Sequence, residues 1–277
     1  MQNRFVTVVV LVLAPVILLG QGSSSQLNPR DLSGIWELRG GDRGLSRNIP
    51  PFTPAGKARF DANKPARGRA VGQPLDGEHP LRAKAVVPAL SNDPMMVCNP
   101  AGFPRLLLDP ELVEFIQMQG RMLQLFQWSR TPREVWLDGR ALPSGENLEN
   151  IGPNWYGHSV GQWEGDTLVV NTVGIEDRSW LDIYGFPRSF QARIEERYKR
   201  IDADTIELHL TMVDPAFYTA PWVSDTKTFK RQPREAVTYY GWYGLFSGIG
   251  EAICAPINEV DDFNKRIRDP AGLGVAK

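Results

Sequence analysis

Cysteine and histidine are scarce in this chain of 277 residues, which has two cysteines and three histidines. No histidine stands in a His-x-His or His-Glu-x-x-His spacing, so the sequence predicts no metal site, and no motif predicts a cofactor. Positive charge is not in surplus, because 31 Lys and Arg residues are set against 32 Asp and Glu residues. This balance argues against nucleic acid or an anionic membrane surface as the main partner.

Long hydrophobic runs are also lacking, apart from a largely apolar stretch from Val6 to Gly20 that follows Arg4. A basic residue, an apolar run and then small residues are the pattern of a secretory signal. The run falls short of the about 20 residues that span a bilayer, which disfavours a retained anchor. We therefore expect a signal peptide at residues 1–22, no membrane span after its removal, and export to the periplasm or the extracellular space.

The two cysteines, Cys98 and Cys254, form an even pair in a chain predicted to be exported. This context favours a disulfide between them. The alternative is two unpaired buried thiols, which behave as small hydrophobic side chains.

Short runs of β-branched and aromatic residues, with turn signals about every 8–12 residues, predict an antiparallel β-meander. We expect residues 23–277 to form one all-β domain, a lipocalin-like barrel or, alternatively, a β-sandwich. An Asp138-Gly139 turn predicts one further hairpin. The predicted strands are 31–38, 112–118, 122–128, 134–137, 160–163, 167–173, 192–201, 205–213 and 222–230.

Residues 40–94 are rich in proline and glycine, which excludes continuous strands there. One short helix is predicted, with Thr53 as its N-cap and Pro54 at its first position, running to about Asn63. A second short helix is predicted at 259–267. The rest of the 40–94 segment is expected to wrap over the domain, where a role as a lid is one hypothesis.

The hairpin with a loop at 202–204 can be registered from its chemistry. A three-residue loop pairs Lys199 with Glu207 on one face and apolar residues on the other, which supports this register. The same register turns Glu196 toward the apolar face, where a carboxylate is costly unless it is paired. Glu196 therefore either meets an arginine or lines a wet cavity. The apolar pairs are Tyr198 with Leu208 and Ile194 with Met212.

A Gly-x-Ser-x-Gly match at Gly157–Gly161 makes Ser159 a candidate nucleophile. A nucleophile elbow needs a buried strand before the serine and a helix after it, whereas here a loop precedes it and a turn and strand follow. This context favours a β-hairpin. His158 is a candidate general acid or base, with Asp177 or Asp182 as a carboxylate partner.

Aromatic residues gather in the segments expected to form loops. Aromatic rings with a few polar groups are typical of a small-molecule pocket, although they also close the ends of barrels. The candidate ligand-binding residues are Trp155, Tyr156, Trp180, Tyr184, Glu196 and Trp222.

Two resemblances bear on these expectations. The Gly34-Ile35-Trp36 triplet resembles the Gly-x-Trp of lipocalin-like barrels, in which the Trp packs across the closed end. The run 155–177, with 195–198 and 214–222, resembles a large group of secreted bacterial proteins of unknown function, which implies export and one domain.

With no strong catalytic motif, the leading prediction is an exported protein that binds an apolar or aromatic small molecule in a β-barrel. One alternative is an exported hydrolase or lyase that uses His158 with Asp177 or Asp182, or Ser159 as the nucleophile. Another alternative is a structural or interaction module of the cell envelope.

Overall fold

The computed structural model describes residues 27–40, 43–66, 84–109, 111–232 and 254, with 262, 265–266 and 270–271. The predicted signal peptide lies outside the described residues, and so does nearly all of the helix predicted at 259–267. The proline-rich segment is described in part, on both sides of residues 67–83.

Within these ranges the chain forms ten strands and three short α-helices. In chain order they are β1 Gly34–Leu38, α1 Pro54–Ala62, α2 Arg105–Leu108, β2 Leu112–Met118, β3 Arg121–Phe126, β4 Pro132–Trp136, α3 Gly145–Ile151, β5 His158–Glu164, β6 Thr167–Val173, β7 Arg193–Asp202, β8 Thr205–Val213, β9 Trp222–Val223 and β10 Lys227–Gln232. The prediction of an all-β fold is confirmed. Of the helices, α1 is the predicted one, and Oγ1 of Thr53 caps it by accepting from the Gly56 N–H at 3.1 Å.

Nine strands close into a barrel, because β10 pairs with β1 on one side and with β8 on the other. A barrel, rather than a sandwich, is therefore confirmed. β9 pairs with a different stretch of β8, so β9 and β10 together replace the single predicted strand at 222–230. Neighbouring strands are antiparallel except β4 and β5, which meet in parallel at Trp136 and Val160.

The predicted hairpin at Asp138-Gly139 is wrong. β4 already pairs with β3, and the chain after Gly139 passes through Pro143 and α3 before it returns to begin β5. A proline cannot donate to a strand ladder, so the residues after this turn cannot continue as the second strand of a hairpin. The return path is what makes the β4–β5 pair parallel.

Apart from 137–157, which leaves β4 at the opposite end and returns through α3 to begin β5, the strand directions place the long connections at one end of the barrel, which we call the loop end. These connections are 39–111, 127–131, 174–192 and 214–221. At the opposite end the strands are joined by the tight turns at 119–120, 165–166 and 203–204. The proline-rich segment thus leaves the barrel and re-enters it at the loop end.

The barrel is filled by its own side chains and by the segment Ala101–Leu108, which we call the plug. Every residue of the plug is buried, and the Phe103 ring lies 3.7 Å from the guanidinium carbon of Arg133 on β4. Near the opposite end the buried Trp36 donates its indole N–H to the Leu32 carbonyl at 2.9 Å.

The register predicted for the β7–β8 hairpin is confirmed. Lys199 pairs with Glu207, Tyr198 with Leu208 and Ile194 with Met212, while Glu196 lies opposite Leu210 and points inward. A bulge between Arg200 and Asp202 shortens the turn to Ala203 and Asp204.

The predicted disulfide is also confirmed, with the Cα atoms of Cys98 and Cys254 5.6 Å apart. Among the described residues, no helix is long and apolar enough to cross a membrane.

Candidate functional site

A polar network lies inside the barrel beneath the plug, and it is centred on Arg133. The Arg133 guanidinium donates to both carboxylate oxygens of Glu196 at 2.6 and 2.9 Å, so the inward carboxylate does meet an arginine. Arg133 also donates to Gln124 at 2.7 Å, and to the hydroxyls of Ser159 and Thr172 at 2.9 and 2.8 Å. These residues stand on β3 to β7, one strand after another, each with its side chain turned inward.

Tyr198 closes this network by donating its hydroxyl proton to Glu196 at 2.6 Å. Burial, with the nearby charge of Glu196, raises the pKa of Tyr198 well above its usual value, so the phenol stays protonated. The guanidinium and the carboxylate are almost fully buried, with 1% and 0% of their side-chain surface exposed. The network therefore joins five strands but offers no group to a solute at the surface.

A second buried arginine, Arg188, fastens the plug to the connection between β6 and β7. It donates to the carbonyl oxygens of Phe103, Ile175 and Glu176 at 2.8, 3.1 and 2.9 Å, and to the hydroxyl of Ser179. Burial lowers the pKa of Arg188, opposed by the nearby carboxylates. Its hydrogen bonds to carbonyls fix the shape of the loop end.

A surface cleft of about 400 Å³ opens at the loop end, a volume in the range of small-molecule sites. Its walls are the last turn of α1, the segment 91–99 and the turn 178–180. Segment 91–99 is bound to α1 through Asn92, which accepts from the Lys64 N–H at 2.6 Å and donates to the Ala62 carbonyl at 2.9 Å. Asn63 donates to the Gly185 carbonyl at 2.9 Å, which attaches α1 to the β6–β7 connection.

Charged residues stiffen the floor of the cleft. Asp93 caps the 3₁₀ turn at 94–97 and receives a bidentate hydrogen bond from Arg105 of α2, at 2.8 and 2.7 Å. Both side chains are buried, which strengthens the pair. The Arg105 guanidinium lies 5.9 Å from the Trp180 ring, so the plug supports the aromatic wall from beneath.

The lining of the cleft is partly apolar and partly polar. Ala62, Pro94, Met96 and Val97 supply apolar surface, whereas Trp180 borders the cleft but is only 3% exposed. Within the part of the chain that the structure describes, the side chains of Arg59 and Asn99 line the cleft without a hydrogen-bond partner. Apolar walls with a few unoccupied polar groups are typical of a ligand-binding site.

Of the predicted ligand-binding residues, Trp180 lines this cleft, and Trp155 contacts Arg178, which also lines it. The Arg178 guanidinium lies 4.8 Å from the Trp155 ring, and Arg178 lines the cleft together with Trp180. Glu176 accepts from Arg178 at 2.9 Å, and that bond lowers the pKa of the Glu176 carboxyl. Tyr156, which directly follows Trp155 in the chain, is half-buried, and its hydroxyl oxygen lies 3.5 Å from that of Thr131.

The other predicted ligand-binding residues are buried elsewhere. Glu196 belongs to the interior network, Tyr184 packs beside Gly44, and Trp222 packs against Phe186 and Tyr218. None of these three lines the cleft.

The candidate catalytic residues are not brought together. Ser159 and His158 are adjacent on β5, so they face opposite sides of the barrel wall. Ser159 is 2% exposed inside the network, whereas the half-exposed imidazole of His158 contacts the Gly152 carbonyl at 3.0 Å. Asp182 is fully buried and accepts from the Tyr184 N–H at 2.9 Å, and Asp177 is exposed on the loop.

Sequence reasoning missed Arg133, Arg59 and Asn99. The inward position of Arg133 could have been predicted from the sequence. Arg133 stands two residues before Val135 on β4, so the two side chains share the buried face of the strand. The positions of Arg59 and Asn99 could not have been predicted, since only the packing of the proline-rich segment brings them to one cleft.

Comparisons with known proteins add no family: no family model, curated protein or solved structure matches the chain. Across the described part of the chain, no three His, Cys, Asp or Glu side chains form a group that could hold a metal ion.

Proposed function

We propose that this protein binds a small aromatic or apolar molecule in the cleft at the loop end of the barrel. The observation that carries the proposal is the cleft itself, in which exposed apolar side chains, backed by the buried Trp180, lie beside the Arg59 and Asn99 side chains, which have no partner among the described residues. The ligand is placed here, rather than among the strands, because the plug and the Arg133 network fill the barrel near this end.

The construction of the cleft supports the same function. Its three walls come from distant parts of the sequence. Asn92 binds segment 91–99 to α1, Asn63 binds α1 to the β6–β7 connection, and Arg105 holds Asp93 from beneath. A preformed site loses little conformational entropy when a ligand binds. The proline-rich segment thus serves as a wall of the site in this proposal, in place of a movable lid.

Binding is supported better than catalysis. A hydrolase that uses Ser159 needs a reachable hydroxyl, whereas this hydroxyl is buried beneath the plug. An acid–base pair needs His158 close to a carboxylate, and the His158 ring contacts a backbone carbonyl instead.

Export is part of the proposal. The disulfide supports it, since disulfides persist in oxidising compartments. The Trp36 indole, bonded to Leu32 near the end with tight turns, supports a lipocalin-like relationship. In this proposal, the parallel β4–β5 pair and the plug are additions to a lipocalin-like barrel.

The test is native mass spectrometry of the purified, oxidised protein, alone and with a panel of two-ring aromatic compounds that are neutral, anionic or cationic. Ala62→Trp fills the cleft from an exposed helix position, and Ala55→Trp, at the other end of α1, is the matched control. We expect wild type and Ala55→Trp to take up a compound that Ala62→Trp excludes. Uptake by none of the three proteins, or equal uptake by Ala62→Trp, would contradict the proposal.

A further inference from the structure

Among the charged side chains that line the cleft, two are positive, Arg59 and Arg178, and one is negative, Asp93. Arg105 is balanced by Asp93, and Arg178 by Glu176. Arg59 adds a third guanidinium that, among the described residues, has no carboxylate partner. Arg59 is therefore the charged group of the lining that has no ion-pair partner among the described residues.

The position of Arg59 on its helix does not account for this charge. Arg59 stands in the last turn of α1, where a cation interacts favourably with the helix dipole. That interaction uses none of the N–H donors of the guanidinium. Two residues earlier, Lys57 is already paired with Asp61, so the carboxylate of the helix is occupied as well.

We propose that the ligand of this cleft is a small organic monoanion, an aromatic or apolar body that carries one carboxylate. This inference rests on the binding function proposed above and names its ligand class. The Arg59 guanidinium binds the carboxylate, and the Asn99 amide donates to it. The aromatic or apolar body lies against Ala62, Met96 and Val97.

The charges that line the cleft also limit how many anionic groups the ligand can carry. A planar guanidinium matches a carboxylate and can bind both of its oxygens. The Asp93 carboxylate lines the same cleft, so a second negative charge on the ligand would face a carboxylate that is already committed to Arg105. The cleft therefore favours a monoanion over a dianion.

The test compares naphthoate with naphthamide, two ligands that differ in charge but hardly in shape, by isothermal titration calorimetry. The proteins are wild type, Arg59→Gln, Lys57→Gln and Ala62→Trp. Lys57→Gln removes one positive charge from the same exposed helix without touching the cleft, so it controls for the overall field of the protein. All the changed residues are exposed, and the fold should tolerate them.

We expect wild type to bind naphthoate about tenfold more tightly than naphthamide, as one charge-assisted hydrogen bond would give. Arg59→Gln should remove this preference and Lys57→Gln should keep it. Added salt should weaken the binding of naphthoate only, because salt screens exposed charges.

Each other outcome has a distinct meaning. Equal binding of both ligands by wild type, with both excluded by Ala62→Trp, would overturn the monoanion and leave the binding cleft standing. A preference lost equally in Lys57→Gln would assign it to the overall field, and so would also overturn the role of Arg59. Binding of neither ligand by wild type, or binding unaffected by Ala62→Trp, would overturn the proposed function and this inference with it.

Discussion

Replacement of Arg133 by methionine should be among the most destabilising single changes in the barrel. The change removes five hydrogen bonds from the Arg133 guanidinium, two of them to Glu196. It leaves the Glu196 carboxylate in a site with 0% side-chain exposure. Removal of one partner from a buried pair costs about 3–5 kcal/mol, because the remaining charge has lost both water and its counter-charge.

An exposed ion pair between two of the same strands offers a matched control. Arg121 and Glu134 join the same two strands, β3 and β4, at 2.9 Å, but their side chains are 39% and 44% exposed. Water solvates either charge when the other is removed, so Arg121→Met should cost at most about 1 kcal/mol. The two arginines thus compare the same chemistry inside and outside the barrel.

Urea denaturation of the oxidised protein measures both costs, from midpoints and slopes extrapolated to zero denaturant. With the single variant Glu196→Leu measured as well, the double variant Arg133→Met with Glu196→Leu completes the cycle. It removes both charges, so it should be more stable than Arg133→Met alone, with a coupling energy of at least about 2 kcal/mol.

A different result would refute this reasoning. If Arg133→Met cost no more than Arg121→Met, water would have to reach Glu196 in the barrel. The interior would then be the wet cavity that the sequence left open as an alternative, and the barrel would compete with the cleft as the ligand site.

Three further predictions follow from the same geometry. Reduction of the Cys98–Cys254 disulfide, which spans 156 residues, should lower the free energy of unfolding by about 5 kcal/mol in urea titrations; an unchanged midpoint would show that the disulfide does not constrain the unfolded chain. A fluorophosphonate should leave Ser159 unlabelled in intact-mass spectra of the native protein, because the plug covers it, and labelling would favour the hydrolase alternative. Burial raises the pKa of Tyr156 and Tyr198 in the fold, so only the unfolded chain releases these protons near pH ~10, and stability should fall as the pH rises through that value; urea titrations of Tyr156→Phe should show a smaller fall, and an equal fall would exclude Tyr156 as a cause.

Sequence alone determined most of the strands and the β7–β8 register. Residues on one face of a strand alternate with a period of two, so opposite charges on one face and apolar pairs on the other allow only one register. The cap and start of α1 were equally local, because Thr53 and Pro54 satisfy requirements of the first helical turn itself. The same alternation placed Glu196 inside the barrel before its partner was known.

Tertiary structure alone decided what Glu196 meets and where a ligand has room. Arg133 lies 63 residues before Glu196, and the pair forms because β3 to β7 stand side by side when the barrel closes. Arg59, Asn99 and Trp180 meet only because the proline-rich segment folds back over the loop end. Such contacts depend on chain paths with no local period, whereas strand and helix patterns repeat within a few residues and can be read from the sequence.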